Sequence, residues 1–122
     1  VLTQNHWDTE KVLSKIETEV YKPPKLDVIH KSDYLKVERF TDFPQFNFDR
    51  IRLDPNKSCK TELDGRYQLL IVISGEAEVF SQTGNSIKLK AEDSVFLPVA
   101  MESYRIESIG NNQLICLNAT PK

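Results

Sequence analysis

The sequence predicts an all-β domain, a jelly-roll-like sandwich or barrel of short strands, preceded by one helix. From Tyr34 onward, short segments rich in β-branched and aromatic residues alternate with turn sequences, which is typical of an antiparallel sandwich. Before Tyr34 the apolar residues follow a helical spacing instead. We therefore divide the 122 residues into a helix and linker, residues 1–33, and a β-domain, residues 34–122.

The helix is predicted over Asp8–Val20. Four apolar residues recur at the spacing of one helical face: Val12, Leu13, Ile16 and Val20. Asp8 is a candidate N-cap at the start of this segment. Pro23 and Pro24 end the helix and begin an extended connection, because proline lacks the N–H that a helix needs.

Nine strands are predicted in the β-domain: Tyr34–Phe40, Gln45–Leu53, Cys59–Leu63, Tyr67–Ile73, Glu76–Ser81, Ser86–Lys90, Ser94–Leu97, Ser103–Glu107 and Gln113–Asn118. The segments between them contain glycine, proline, asparagine and aspartate, which favour turns. Thr83-Gly84-Asn85 is the clearest hairpin turn among them.

Two of these strands depart from simple alternation. Apolar residues of the second strand fall in two phases: Phe46 and Phe48, then Ile51 and Leu53. A β-bulge near Asp49–Arg50 would let all four face one core.

The segment Leu69–Ile73 is apolar at every position, although a strand with one wet face should alternate. Its second face is therefore predicted to be covered, by the N-terminal helix, a second chain or a further domain.

The composition argues against several classes of protein. Net charge is −2 and the basic residues are scattered, so we expect no nucleic-acid partner. The longest apolar run, Leu69–Ile73, is too short to cross a membrane, and we expect a cytoplasmic location. Cys59 and Cys116 are expected to be reduced thiols in strands. His6 and His30 have no nucleophile beside them in a recognisable catalytic motif.

The order of strands and turns resembles that of cupins, small jelly-roll barrels whose first sequence motif contains two histidines, a glutamate and a closing glycine. Aligning that glycine on Gly75 places Gln68 at the glutamate. The two histidine positions then fall at Glu62 and Asp64, or at Thr61 and Leu63 with a longer spacing. Neither alignment places a histidine there.

The second cupin motif fits from Glu92, with Pro98 at its proline. Its histidine position falls at Ser103 and its asparagine position at Glu107. A transition metal needs about three imidazole or carboxylate ligands. The degenerate pocket supplies at most two carboxylates and two weak neutral ligands, from Glu62, Asp64, Gln68 and Ser103. We expect no transition metal here; a hard-cation or sugar-hydroxyl pocket and a solvated strand end remain as alternatives.

Two stretches together resemble the C-terminal cupin of type I mannose-6-phosphate isomerases. Residues 67–79 and 89–99 resemble the sequence of the strands around that family's two motifs, although Glu92 replaces a glycine. Leu2–Asp8 and the following Val12-Leu13 match the segment that precedes that cupin, although Gln4 and Asn5 replace a proline and a lysine.

The resemblance implies an isomerase that converts mannose 6-phosphate and fructose 6-phosphate in carbohydrate metabolism. In that family, a catalytic arginine directly precedes the segment matched by Leu2–Asp8, and the zinc ligands lie further upstream in an N-terminal catalytic cupin, so this chain would supply a packing domain that is inactive alone. Thr3, Asn5 and His6 would be the remnant of a substrate loop. A free-standing module that binds a small sugar or metabolite is the alternative, and a weak homodimer is a third possibility.

Overall fold

The computed structural model describes residues 3–4, 26–41 and 43–122. The described strands are β1 (Thr3–Gln4), β2 (Leu26–Lys31), β3 (Leu35–Phe40), β4 (Phe46–Leu53), β5 (Ser58–Glu62), β6 (Gln68–Ser74), β7 (Glu76–Ser81), β8 (Ser86–Lys90), β9 (Ser94–Leu97), β10 (Ser103–Ile109) and β11 (Leu114–Pro121). A 3-10 turn, Val99–Met101, precedes β10. The predicted helix Asp8–Val20 lies outside the described residues. Within those residues, no helical segment has the length and hydrophobicity needed to cross a bilayer.

The strands form two antiparallel sheets, which confirms the predicted all-β sandwich. Sheet A has the order β1-β9-β6-β11-β4-β3-β2, and sheet B has the order β5-β10-β7-β8. Strand β2 falls in the predicted extended connection and was not identified from the sequence, because its residues are mostly exposed on a sheet edge. The predicted hairpin at Gly84 is confirmed: it joins β7 to β8, with the Ser81 N–H donating to the Asn85 carbonyl at 2.8 Å.

The inner faces of the two sheets enclose the main hydrophobic core. Its buried members come from both sheets and the loops between them: Ile51, Leu53, Leu63, Leu70, Val72, Ala77, Val79, Leu89, Val95, Leu97, Tyr104, Ile106, Leu114 and Cys116. Complete burial of a large aliphatic or aromatic side chain contributes about 1.5–3 kcal/mol. The inner core therefore supplies much of the driving force that holds sheet A against sheet B.

A second apolar cluster lies on the outer face of sheet A. It contains buried Phe40, Phe43, Phe48, Leu69, Ile71, Leu117 and Ala119, with Leu26 and Phe46 at its margin. The prediction that the second face of Leu69–Ile73 is covered is confirmed for Leu69 and Ile71, whereas Ile73 is 40% exposed. Leu70 and Val72 face the inner core, so this strand has apolar residues on both faces because both faces carry a core.

The predicted bulge near Asp49–Arg50 is wrong. Strand β4 pairs with β3 and β11 in continuous register through both residues. The two phases of apolar residues instead serve the two clusters, with Phe48 on the outer face and Ile51 on the inner face. The prediction assumed one core, and only the presence of a second removes the need for a bulge.

Gly75 sits at the corner between β6 and β7 and has φ +86°. A Cβ at this position would lie 2.8 Å from the carbonyl oxygen of Gln113. Both the positive φ and the close approach of a neighbouring backbone require glycine. The glycine used to align the first cupin motif therefore has a structural reason of its own.

Candidate functional site

The four residues of the predicted degenerate pocket do not form one site. Gln68 and Ser103 are buried, at 6% and 1% exposure, whereas the side chain of Glu62 is 59% exposed. The Glu62 carboxylate lies 3.7 Å from Lys60 Nζ at the surface. Asp64 is exposed in a turn with φ +52°. The two carboxylates are therefore solvated, and the buried members lack acidic partners.

Gln68 is the centre of a buried hydrogen-bond network. Its Oε1 accepts a hydrogen bond from the Tyr104 hydroxyl at 2.7 Å and another from Asn118 Nδ2 at 2.7 Å. Asn118 Nδ2 also donates to the Tyr104 hydroxyl oxygen at 2.8 Å. Asn118 Oδ1 accepts a bond from Thr120 Oγ1 at 3.2 Å. We call Gln68, Tyr104 and Asn118 the polar triad.

The polar triad links the two sheets through the inside of the sandwich. Gln68 and Asn118 lie on the adjacent strands β6 and β11 of sheet A, and Tyr104 lies on β10 of sheet B. Burial raises the pKa of the Tyr104 hydroxyl well above its usual range, against smaller opposing effects of hydrogen bonds with Thr61 and Asn118. The hydroxyl therefore stays protonated and serves as a neutral donor to Gln68.

Ser103 and Tyr104 are neighbours in β10, so their side chains point to opposite faces of sheet B. Tyr104 belongs to the inner core, whereas the Ser103 hydroxyl accepts a hydrogen bond from Gln82 Nε2 at 2.7 Å. The residue of β10 that contacts Gln68 is therefore Tyr104. Sequence reasoning missed Tyr104 and Asn118; the one signal was that Asn118, a polar residue, directly follows the apolar run 114–117 of the last strand.

A groove of about 440 Å³ lies over the outer face of sheet B. It is lined by Lys60, Phe80, Ser81, Gln82, Gly84, Ser103, Tyr104 and Arg105. The Arg105 guanidinium carbon lies 4.4 Å from the centroid of the Phe80 ring, a cation–π contact that holds this side chain along the groove. Lys60 and Arg105 give the groove two cationic groups.

Neither cysteine is suited to nucleophilic chemistry. Both are free thiols, as expected from the sequence. Burial raises the pKa of the Cys59 thiol to about 11, and burial followed by the nearby Cys59 raises the pKa of Cys116 further. The thiolate is the reactive form of cysteine, so both side chains are poor nucleophiles at neutral pH.

The donors around Gln68 do not suit zinc. Zinc sites in proteins use thiolate, imidazole and carboxylate ligands, whereas the polar triad offers two amides and a neutral phenol. In the described part of the chain, no three side chains of histidine, cysteine, aspartate or glutamate come together. We therefore derive no chemical step through a metal in this domain.

The family model for the mannose-6-phosphate isomerase cupin domain matches residues 36–117, two-thirds of the chain. The chain belongs to this family. The match spans β3 to β11 and so includes all of the polar triad except Asn118, which follows directly after it. A search of the curated proteins finds no match.

Solved structures of cupins share the fold of this isomerase-type cupin domain. The plu4264 protein of Photorhabdus luminescens is 15% identical, with a TM-score of 0.66 over 77% of this chain and 79% of that one. A cupin domain of an XRE family transcriptional regulator from Enterobacter cloacae is 16% identical, with a TM-score of 0.64 over 72% and 96%. Oxalate decarboxylase of Lactobacillus farciminis is 17% identical, with a TM-score of 0.65 over 82% and 31%.

The predicted substrate-loop remnant is only partly described. Thr3 lies in β1, where it pairs with Phe96 of β9 at the edge of sheet A. Asn5 and His6 lie outside the described residues. Thr3 is therefore attached to the sandwich through its backbone, whatever the role of the residues that follow it.

Proposed function

We propose that this chain is the C-terminal, non-metal cupin of a cytoplasmic mannose-6-phosphate isomerase, with a packing role and no activity alone. Membership of the isomerase cupin family supports the assignment to that enzyme. The polar triad supports a packing role without a metal. Gln68 aligns with a cupin metal ligand, but its side chain is engaged in a hydrogen-bond network within the protein.

The triad leaves no ready ligand atom inside the sandwich. Gln68 Oε1 already accepts two hydrogen bonds of 2.7 Å, which engage both of its lone pairs. A ligand that displaced Gln68 Oε1 would leave the buried hydroxyl donor of Tyr104 without its partner, at a cost of about 1–3 kcal/mol. The network instead connects the sheets, which is the contribution expected of a domain that supports a catalytic partner.

The reaction of the proposed parent enzyme requires groups from outside this domain. Aldose–ketose isomerisation moves a proton between C1 and C2 of the sugar, with a general base and polarisation of the carbonyl. We assign both tasks to an N-terminal catalytic cupin that binds zinc. Such a domain is the proposed partner of this chain.

Two measurements on the purified 122-residue chain test this proposal. Isothermal titration with zinc should show no stoichiometric binding, and a coupled assay should show no interconversion of mannose 6-phosphate and fructose 6-phosphate. An intact isomerase serves as positive control for both. Measurable turnover by the chain alone contradicts the proposal, and so does one-to-one zinc binding that is lost on Gln68→Ala.

The groove on sheet B favours a second candidate function, a module that binds a small hydroxylated anion such as a sugar phosphate. Lys60 and Arg105 would contact the anionic group, and Gln82 could bond hydroxyls. Ligand at 100 times its Kd stabilises the native state by about 2.7 kcal/mol, so a thermal-shift screen of sugar phosphates would detect it. Arg105→Ala should abolish the shift, whereas Lys88→Ala, an exposed lysine outside the groove lining, should retain it.

A further inference from the structure

Three basic residues lie side by side on the outer face of sheet A. Lys31 of β2 opposes Lys36 of β3, and Lys36 opposes Arg52 of β4. Directly opposed residues point to the same face of a sheet, and Lys36 shares its face with Phe40 of the outer cluster, four residues further along β3. We call Lys31, Lys36 and Arg52 the cation row. Like charges directly opposite each other destabilise a sheet, so the row is unfavourable unless negative charge lies against it.

The described residues place one carboxylate beside the row. Glu38 lies 3.8 Å from Lys36 Nζ and 3.8 Å from Arg52 Nε. Arg50, on the same face, donates to Glu38 Oε1 through Nη2 at 2.8 Å and through Nε at 3.2 Å. Lys31 forms no ion pair with any described residue. Four cations therefore share one negative charge, although the whole chain has a net charge of −2.

Other carboxylates at this end of sheet A do not neutralise the row. Asp33 lies between β2 and β3, and Asp54 follows β4. Within the described part of the chain, neither pairs with a residue of the row, and Asp54 Oδ1 accepts a hydrogen bond from Gln113 Nε2 at 3.3 Å. Asp27 of β2 opposes Arg39 on the other face of the sheet. The surplus of positive charge is therefore local to the outer face.

Two donors of the cluster lack a hydrogen-bond acceptor. A separation of 3.8 Å is too long for a hydrogen bond, so Glu38 does not satisfy Lys36 Nζ or Arg52 Nε. Arg52 Nε is buried, and it has no hydrogen-bond partner in the part of the chain that the structure describes. A buried donor without an acceptor destabilises the native state. The row therefore provides a place for acceptors from a binding partner.

The layout of this surface favours an extended ligand over a compact one. Neighbouring strands lie about 4.8 Å apart, so the row extends over about 10 Å from β2 to β4. The point at which Lys36, Arg50 and Arg52 converge already holds the Glu38 carboxylate, which would repel a compact dianion such as phosphate. Separate carboxylates can instead contact the outer sides of the cations. Val28 opposes Glu38 on the same face and is 54% exposed, so it can add an apolar contact.

We propose that the cation row binds an acidic, extended segment of a partner protein. Carboxylates of that segment contact Lys31, Lys36 and Arg52, and an apolar side chain contacts Val28. Strand β2 is the edge strand of sheet A, so the segment can reach the row from the open side of the sheet. This inference does not depend on the proposed function, because it rests on strand register, charge and hydrogen bonding.

A second copy of this chain is a poorer match for the row. Antiparallel pairing of two β2 strands about Ile29 would place Asp27 of one copy opposite Lys31 of the other. It would leave Lys36 and Arg52 without carboxylates. The register shift between Val28 and His30 also opposes pairing of two such edges, because bulges interrupt the regular row of backbone donors and acceptors.

A fluorescein-labelled peptide of alternating glutamate and valine is a suitable probe, because alternation puts all of its carboxylates on one face of an extended chain. Fluorescence anisotropy with the 122-residue protein at low salt should show saturable binding. The matched peptide of alternating glutamine and valine should not bind. Binding should weaken as salt rises, because the Debye length falls from about 30 Å at 0.01 M to about 10 Å at 0.1 M.

Variants of the row give a directional test. Lys36→Gln and Arg52→Gln should each weaken binding by about two- to fivefold, the effect of losing one exposed ion pair. Lys88→Gln is the matched control, because it removes the same charge from an exposed strand position on sheet B and should leave the affinity unchanged. Glu38→Gln should strengthen binding by about two- to fivefold, because it removes the carboxylate that competes for Arg50. Circular dichroism establishes that each variant is folded.

Four outcomes would overturn the proposal. Lys36→Gln could bind the peptide as tightly as Lys88→Gln, or a folded Glu38→Gln variant could bind it more weakly than the wild type. Inorganic phosphate could displace the peptide and shift the amide resonances of β3 and β4, which would make the row a compact oxyanion site. The chain could self-associate in a manner abolished by Lys31→Glu, which would assign the surface to a second copy.

Discussion

The polar triad makes a quantitative prediction for Tyr104→Phe. This change removes one hydroxyl and leaves the ring, which is 1% exposed and packed in the inner core. The hydroxyl donates to Gln68 Oε1, accepts from Asn118 Nδ2 and also forms a hydrogen bond with Thr61, so the change removes all of these contacts together. Gln68 Oε1 and Asn118 Nδ2 retain the 2.7 Å bond between them, so neither amide is left without a partner.

The expected loss follows from these contacts. A hydrogen bond contributes a net of about 0.5–1.5 kcal/mol to stability, and a buried group left unsatisfied costs about 1–3 kcal/mol. Because the bond between Gln68 and Asn118 survives, we expect the lower part of that combined range, about 1–2 kcal/mol. With an m-value of about 2 kcal/mol/M, the urea midpoint should fall by about 0.5–1 M.

Urea unfolding followed by circular dichroism measures this change. Tyr67→Phe is the matched control, because Tyr67 is 38% exposed and lies outside the triad, and surface changes usually stay within about 0.5 kcal/mol. A Tyr104→Phe midpoint that coincides with that of Tyr67→Phe would refute the view that the triad stabilises the sandwich.

Three further changes have defined outcomes. Gly75→Ala should destabilise the protein by about 2–4 kcal/mol, because it adds the cost of a positive φ to a contact with a backbone oxygen at 2.8 Å; thermal unfolding measures it. Glu92 has φ +76°, so Glu92→Gly should raise the unfolding free energy by about 0.5–1 kcal/mol in urea titrations. Glu38→Gln should lower the free energy of unfolding by about 1–2 kcal/mol at neutral pH, because it removes the charge that pairs with Arg50 at 2.8 Å. Urea titrations at several pH values should show that this loss disappears in acid.

The pH dependence follows from the pKa of Glu38. Burial acts to raise it, but the hydrogen bond from Arg50 and the charges of Arg50, Lys36 and Arg52 outweigh burial and lower it. A lowered folded-state pKa gives stability that is complete above the unfolded value, about 4.3, and is lost as pH falls through the folded value. The difference in stability between the wild type and Glu38→Gln should therefore shrink as pH falls below the unfolded-state value and through the lowered folded-state pKa of Glu38.

Each of these predictions has an outcome that contradicts it. Gly84 has φ +92° but open space around its missing Cβ, so a Gly84→Ala loss as large as that of Gly75→Ala would exclude the contact as a cause. A lower stability for Glu92→Gly would mean that the carboxylate side chain stabilises its turn. A constant difference for Glu38→Gln from pH 7 to pH 2 would show that its charge does not carry the effect.

The sequence by itself determined the fold class, the β7–β8 hairpin and the family. Turn residues and β-branched segments are local signals, and a motif glycine such as Gly75 marks a backbone position that few other residues can occupy. The sequence alone also shows that the aligned cupin ligand positions hold no histidine, because this depends on residue identity only. Those positions are occupied by Glu62, Asp64, Gln68 and Ser103.

The tertiary structure decided which polar residues meet and which face each apolar residue covers. Gln68 contacts Tyr104 and Asn118, which are 36 and 50 residues away, so no local pattern could pair them. The two apolar phases of β4 suggested a bulge until sheet A proved to carry a core on each face. Alternation along a strand separates its two faces, but only the packing of the sheets shows what each face meets.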